Sequence, residues 1–486
     1  MVGVIGPEGI GKLGGRFVAH DQKRTLDALE KGEIDCVRVS QRLPIDQIVA
    51  YGLKDGFLQT GLKTFPDPRK LWEVPVDVLL LPQVLQRLND EHSLLLAPYM
   101  LNSSELITKL GYNVRVLEEG FNQKNVYPRS APFHGETLKH LLLSVKAEKL
   151  LEWFNRDWLS IWQANAPGRT GQYILDGTRI EVPAHLSKKY QGSGCVENED
   201  GSLSYGYKAV WLQEIIDHKG VIVAMTIVPI QVHDLKAARS LIDEFPFEES
   251  SSLIADRGFI DGAWITHLKR DRKIDLFIPL KHNMEATQAA IAQADYRGLW
   301  KAHPTREKQQ IAEFNAREGG LFWRDCPVLT HGVLARWTKR DGTTDEVLFV
   351  TTKEGQTGKK ILATYDQRAE IEESHRQLKE NQGLEKLPSK KFVHVVFRVL
   401  MCVIGFNLMN LFLNSEDCKD FEAFSLKSLR QKRMEEENPK VILYTEKTFA
   451  VMRLLEFLPL ILNLEKSAQE KLSRLFKNIA ITPAPS

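Results

Sequence analysis

Two acidic residues stand where a carboxylate is costly unless something answers its charge, and a third lies on a charged helical stretch. Asp176 interrupts an apolar, strand-like run, with Tyr173, Ile174 and Leu175 before it, Ile180 and Val182 after it, and Gly177 and Thr178 at its side. Such a carboxylate either makes a hydrogen-bonded structural turn or binds a cation. Asp256 ends the run Leu253-Ile254-Ala255 and precedes Arg257-Gly258-Phe259, at the kind of strand end where α/β sheets open their ligand crevices. Asp261, nearer the following helix, is the better N-cap. The third acid lies in YDQRAEIEESHRQLK, residues 365–379. On a helix turning roughly 100° per residue, Tyr365, Arg368, Glu372 and Lys379 fall within an arc of about 60°. Ile371 and Leu378 point to another side and can pack on a sheet, while Glu370, Glu373 and Glu380 fall outside the arc. The stripe offers a carboxylate flanked by two cations and a phenol; the alternative is a solvated charged helix with weakly supporting Glu-Arg and Glu-Lys neighbours.

The elements that must position these residues follow from periodicity. Residues 1–150 read as helices with short connectors, among them LDALEKG, PQVLQRLND and SSELITKLGY. APGRTG is a turn-rich joint, after which YILDGTRIEVP, YGYKAVWLQEII and GVIVAMTIVPI predict three antiparallel strands, the last two joined at His218-Lys219-Gly220. A helix over 234–245, begun at His233-Asp234, a strand ending at Asp256, a helix over 261–270 and the strand DLFIPL complete a β-β-β-α-β-α-β order. That order predicts a mixed sheet whose parallel part is crossed by helices. Residues 283–360 read as a β-rich insertion after a polar helical stretch, with strands expected in GGLFWRD and in VLTHGVLARWTKRDGTTDEVLFVTT, and a hairpin at Asp341-Gly342. Residues 361–415 return to helix, and 416–486 read as a charged helical tail.

Composition excludes several classes. The chain has 486 residues, 65 Lys+Arg against 63 Asp+Glu and a net charge of +2, so neither disorder nor a uniformly basic nucleic-acid coat fits. Its five Cys, widely spaced, suggest neither a disulfide framework nor a zinc site, and a reducing cytoplasm is the expected setting. No secretory leader is read at the N-terminus. Phe392 to Leu413 is long and apolar enough to span a bilayer, but His394, Arg398, Asn407 and Asn410 favour a buried core helix. The start GPEGIGKLGG places Gly6, Gly11 and Lys12 at phosphate-loop spacing, yet Leu13 stands where Ser or Thr would hold magnesium, which argues against an NTPase.

Tyr365, Arg368, Glu372 and Lys379 match Y-x2-R-x3-E-x6-K, and with Asp256-Arg257-Gly258-Phe259 and Asp176-Gly177-Thr178 the chain resembles bacterial DDE transposases of the cut-and-paste insertion-sequence type. The resemblance covers about 170 to 413. It implies an α/β fold with an RNase H-like mixed-sheet catalytic core in two parts, 151–282 and 361–415, interrupted by the β-rich insertion. The helical N-terminal domain, 1–150, a possible DNA-end binder, and the helical C-terminal tail, 416–486, carry no motif that matches the family. The resemblance implies metal-dependent cleavage at transposon ends and strand transfer into target DNA, by a homodimer that pairs two inverted-repeat ends of double-stranded DNA, with no membrane partner and a cytoplasmic, nucleoid-associated location. Asp176, Asp256 and Glu372 would be the catalytic residues and would hold two Mg2+ ions, with Mn2+ able to substitute, because three carboxylates suit a pair of hard cations. Glu373 competes if the helix is rotated. Tyr365, Arg368, Lys379, Arg257, Lys390 and Lys391 would contact DNA, and basic runs at 267–273 and 427–433 could extend that track. One of Trp300, Trp323 and Trp337 could stack on a flipped base; His375 would be a supporting or phosphate contact. The alternatives are a nuclease on the same fold without mobilisation activity, or a catalytically inactive DNA-binding protein.

Overall fold

The computed structural model describes residues 19–477 except 41–43, 55, 71–72, 95–96, 102–103, 114–115, 117–119, 122–131, 166–168, 217–218, 319–320, 322, 340, 416–439 and 446. The glycine-rich start and the basic run at 427–433 lie outside the described residues. The chain forms two units, one of Leu151–Glu380 with Ser389–Asn414, the other of Met1–Leu150, Asn381–Pro388 and Ser415–Ser486.

The first unit is built on a ten-stranded mixed sheet. Its strands are β1 (Arg169–Glu181), β2 (Gly194–Glu197), β3 (Leu203–Ile216), β4 (Lys219–Pro229), β5 (Ser252–Ala255), β6 (Asp275–Pro279), β7 (Lys301–Ala302), β8 (Gln309–Asn315), β9 (His331–Thr338) and β10 (Thr344–Thr351). The order is β2-β3-β1-β5-β6-β10-β9-β8-β7, with β4 also on β3. β1, β5 and β6 run parallel, and the other neighbours pair antiparallel. Helices α1 (Asp234–Glu244) and α2 (Gly262–Arg270) make the crossovers, as a parallel strand pair requires. His233 caps α1 by accepting from Leu235 N, and Asp261 caps α2 by accepting from Trp264 N.

The stretch read as an insertion is part of this same sheet. Helix α3 (Glu285–Arg297) precedes β7 to β10, and β10 pairs with β6 through Phe349↔Pro279, Val350↔Ile278 and Thr351↔Phe277. The sequence reading missed β8, and the described part of GGLFWRD is not strand.

Two further differences concern helices. Residues 365–379 are not one helix: α4 (Gly358–Asp366) stops and α5 (Ala369–Glu380) begins after a tight junction. There Arg368 N donates to Tyr365 O at 2.9 Å and Ile371 N to Arg368 O at 3.1 Å, three-residue bonds that tighten the chain and place Arg368 between the helices. Helix α6 (Phe392–Leu413) is the long apolar segment, and 89% of its most apolar stretch is buried inside the protein. Its asparagines serve the edge strand β4. Asn407 accepts from Ile222 N at 2.9 Å and donates to Ile222 O at 2.7 Å, and Asn410 donates to Gly220 O at 2.7 Å. Asn155, from the helical approach to β1, does the same for Met225 N and O.

The second unit carries strands as well as helices, which amends the helical reading of both chain ends. Ala19–His20, Thr448–Arg453, Lys440–Tyr444 and Cys36–Ser40 form a four-stranded sheet in that order. Leu29, Val37, Val441, Leu443, Phe457 and Leu472 share a buried cluster. Five-residue strands drawn from opposite ends of the chain leave only a short alternating pattern in either end, which the adjoining helical periodicity outweighs.

Candidate active site

The site grows from the register of two parallel strands. Leu175 of β1 pairs with Ala255 of β5, so Asp176 and Asp256 are the next residues on neighbouring strands, which lie about 4.8 Å apart in any sheet. Asp176 is 9% exposed, accepts from Gly177 N at 2.8 Å, and stands opposite Trp211 of β3. Asp256 accepts from Gly258 N and caps the short turn Arg257–Phe259. Glu372 arrives on α5, whose Ile371, Ser374 and Leu378 are buried while Glu372 stays exposed.

One guanidinium joins the three acids. Arg368 Nη2 donates to Asp176 Oδ2 at 2.9 Å and to Asp256 Oδ2 at 3.1 Å, and Nη1 donates to Glu372 Oε1. In this structure Arg368 faces the carboxylates. The junction between α4 and α5 turns it inward from the stripe that an unbroken helix would present. Tyr365 packs against Phe349, with ring centroids 4.9 Å apart. Burial, with the negative charge of Asp256, Asp176 and Glu372, pushes its phenol up to about 12 despite Arg368.

Burial dominates the electrostatics of Asp176. Burial pushes the Asp176 carboxyl up to about 6; Arg368 and the Gly177 N–H oppose this, and Asp256 and Asp234 add to it. Its ordinary value is 3.8, so between roughly pH 4 and 6 the folded protein keeps a proton that the unfolded chain has lost. Stability from this group is therefore fully present below about pH 4 and lost as pH rises through about 6, by roughly 2–3 kcal/mol. Urea titrations without divalent cations at about pH 4.5 and pH 7.5 are expected to show this fall. An unchanged midpoint would mean that Asp176 ionises without cost.

Asp234 is a fourth acid at the site, missed because it reads as the first residue of α1. Lys208 Nζ holds it at 2.8 Å and also donates to Val232 O at 2.8 Å. A Cβ on Gly177 would come within 3.0 Å of Asp234 Oδ1, and one on Gly258 within 3.5 Å of its Oδ2. The glycines after Asp176 and Asp256 thus leave the room that Asp234 fills. The only sequence signal was an acid directly after a strand-ending turn.

Other candidates fall in different places. Arg257 is exposed beside Asp256, and Lys390 and Lys391 are exposed at the start of α6, where Lys390 O accepts from Gln191 N. Lys379 lies one turn beyond His375. His375 is a packing residue rather than a phosphate contact: its ring sits 5.0 Å from that of Trp211, and burial, with Lys379 and Arg368 nearby, depresses it to about 3, so it stays neutral. Glu373 pairs with Arg376 and is not the ligand candidate. The basic run at 267–273 is largely spent internally. His267 bonds Asp271, Lys269 pairs with Asp275 at 2.5 Å, and Arg272 donates to the carbonyls of Ile242, Asp243 and Phe245. Trp300, Trp323 and Trp337 are all half-buried, and the Arg336 guanidinium lies 3.7 Å over the Trp300 ring.

Hard carboxylate oxygens are the donor set that Mg2+ takes. Among the described residues, however, no three His, Cys, Asp or Glu side chains are placed to hold a metal as they stand, because the three acids are spread around a guanidinium. The chemistry of the donors fits a hard divalent cation, and a cation already occupies their midst.

Residues 167–408 match the family model described as Transposase DDE domain. No curated protein matches the sequence. Among solved structures the chain is similar to piggyBac transposase in a cryo-EM synaptic complex with hairpin DNA, at 10% identity and a TM-score of 0.40, over 95% of this chain and 87% of that one. The stretch that supplies Asp176, Asp256, Arg368 and Glu372 therefore carries a transposase DDE domain.

Proposed function

We propose that this chain is a DNA transposase of the insertion-sequence type, which cleaves at the inverted-repeat ends of its element and joins them to target DNA, acting as a homodimer on double-stranded DNA. The observation that carries the proposal is the meeting of Asp176, Asp256 and Glu372, from the middle of one strand, the end of its neighbour and a separate helix, on one guanidinium. The order β4-β3-β1-β5-β6, with its parallel half, Asp176 within the central strand and Asp256 at the carboxyl end of the next, supports an RNase H-like core.

Asp176, Asp256 and Glu372 would hold two Mg2+ ions, for which Mn2+ can substitute. Bound there, the ions supply charge stabilisation for the attacking and leaving oxygens of a phosphodiester. The protein's own groups do the rest. Asp176, fixed by Gly177 N and by its place on β1, sets the depth at which a phosphate can approach. Tyr365, whose phenol stays protonated, offers a hydrogen bond to a phosphate oxygen. Arg257, Lys379, Lys390 and Lys391 supply positive charge to the DNA backbone.

The deciding experiment is a cleavage assay on a duplex carrying the flanking inverted repeats, with and without Mg2+. The parent protein is expected to nick at the element end only with the cation. Glu372→Ala is expected to shift the same duplex in a gel without nicking it. Cleavage that survives in Glu372→Ala would rule out the assignment of the acids.

A further inference from the structure

We infer that Arg368 is a built-in counter-ion, which keeps the acid site closed to divalent cations until a DNA phosphate draws it away. This rests on the proposed function of the acids and adds to it a coupling between DNA binding and metal loading.

Four observations support it. First, the guanidinium spans the site, bonded to Asp176 and Asp256 through Nη2 and to Glu372 through Nη1. A divalent cation that gathers the same oxygens needs the space this group fills. Second, Arg368 is poorly satisfied where it is, because its Nε is buried and makes no hydrogen bond. A buried donor without an acceptor carries a cost, and that cost disappears if the side chain finds another partner. Third, Arg368 sits at the junction between α4 and α5, and its side chain is 18% exposed. An arriving phosphate can reach it, and it can swing without unwinding a helix. Bidentate pairing with phosphate is also a strong alternative for a guanidinium.

Fourth, the charges balance after the exchange. Three carboxylates against one guanidinium leave the site negative, with Asp234 answered separately by Lys208. With Arg368 drawn to one DNA phosphate, a second phosphate over the acids brings the local charge to minus four, which two divalent cations neutralise. Before DNA arrives, a cation must displace the arginine without that compensation.

The test measures Mn2+ binding by the electron paramagnetic resonance signal of the free ion, so it does not depend on catalysis. For DNA-free protein, Arg368→Ala is expected to bind Mn2+ about ten-fold or more tighter than the parent, the gain expected from removing a competing, partly exposed ion-pair network. That gain should vanish in Arg368→Ala with Asp176→Asn. Adding the inverted-repeat duplex, with the duplex alone as blank, should tighten Mn2+ binding by the parent and change it little in Arg368→Ala.

If Arg368→Ala binds Mn2+ no better than the parent while the parent with DNA gains ions in an Asp176-dependent way, the counter-ion role is overturned and the acid site stands. If no form binds Mn2+ through Asp176, both are overturned. Arg368→Gln, which keeps bulk without charge, repeats the titration should the alanine variant fold poorly. A melting curve adds a second readout: Mn2+ should raise the melting temperature of either variant and leave the DNA-free parent unchanged. Equal shifts in all three would overturn the proposal.

Discussion

Asp176→Asn is expected to lower strand cleavage by a factor on the order of 10³ or more, the loss that follows when several kcal/mol of charge stabilisation is removed. The same substitution is expected to raise the melting temperature of the metal-free protein at neutral pH. Both effects come from one property. The Asp176 carboxyl is buried in the sheet and pushed up to about 6, so at neutral pH its charge is held against the preference of the fold. Asparagine keeps the shape and still offers an oxygen to Gly177 N, but it brings no charge to desolvate. Cleavage and thermal melting of the two proteins, with melting followed at about pH 5 and about pH 7.5, give the comparison, and the stability difference should be largest at the higher pH. A variant that lost both cleavage and stability would make Asp176 a structural residue. DNA-end binding should survive, because the substitution removes none of the positive charge assigned to the DNA backbone.

Trp211→Ala is expected to destabilise the catalytic unit by about 3–5 kcal/mol, the range for removing a large buried aromatic side chain. Trp211 is 0% exposed, stands opposite Asp176 in the ladder, and carries the His375 ring of α5. Removing the indole opens a void between β3 and the helix that presents Glu372, so activity should fall along with stability. Trp211→Phe should cost much less: the indole Nε1 is buried and makes no hydrogen bond, so phenylalanine leaves no polar partner behind. Denaturant titrations of both variants check the ordering, and equal losses would mean that the space is not packed as described.

The core was legible where local chemistry and sheet pairing agree. Three long strand-like apolar runs became β1, β3 and β4, and the cost of burying Asp176 and ending a strand on Asp256 marked the two strand acids before any pairing was known. Glu372 was singled out only by the combination of Tyr365, Arg368 and Lys379 around it with the two strand acids, while Ile371 and Leu378 marked the buried face of its helix. The inward turn of Arg368 was not, since nothing in YDQRAEI breaks a helix by composition. Its partners Asp176 and Asp256 lie 192 and 112 residues away in the chain. Asp234 escaped for the same reason, because its meaning depends on two glycines of other motifs and on Lys208. The attachment of β10 to β6 could not be read either, as a strand's neighbour leaves no mark on its own alternation.

The asparagines on β4 bear on aggregation. A sheet of ten strands would ordinarily offer two edges to other copies of the chain. At one edge, the N–H and C=O groups of Met225 and Ile222 and the carbonyl of Gly220 are already bonded to Asn155, Asn407 and Asn410. At the other, the sheet ends in the two exposed residues of β7, too short to template a partner strand. Asn155, Asn407 and Asn410 thus occupy backbone groups that a bare edge would offer to a strand of another copy.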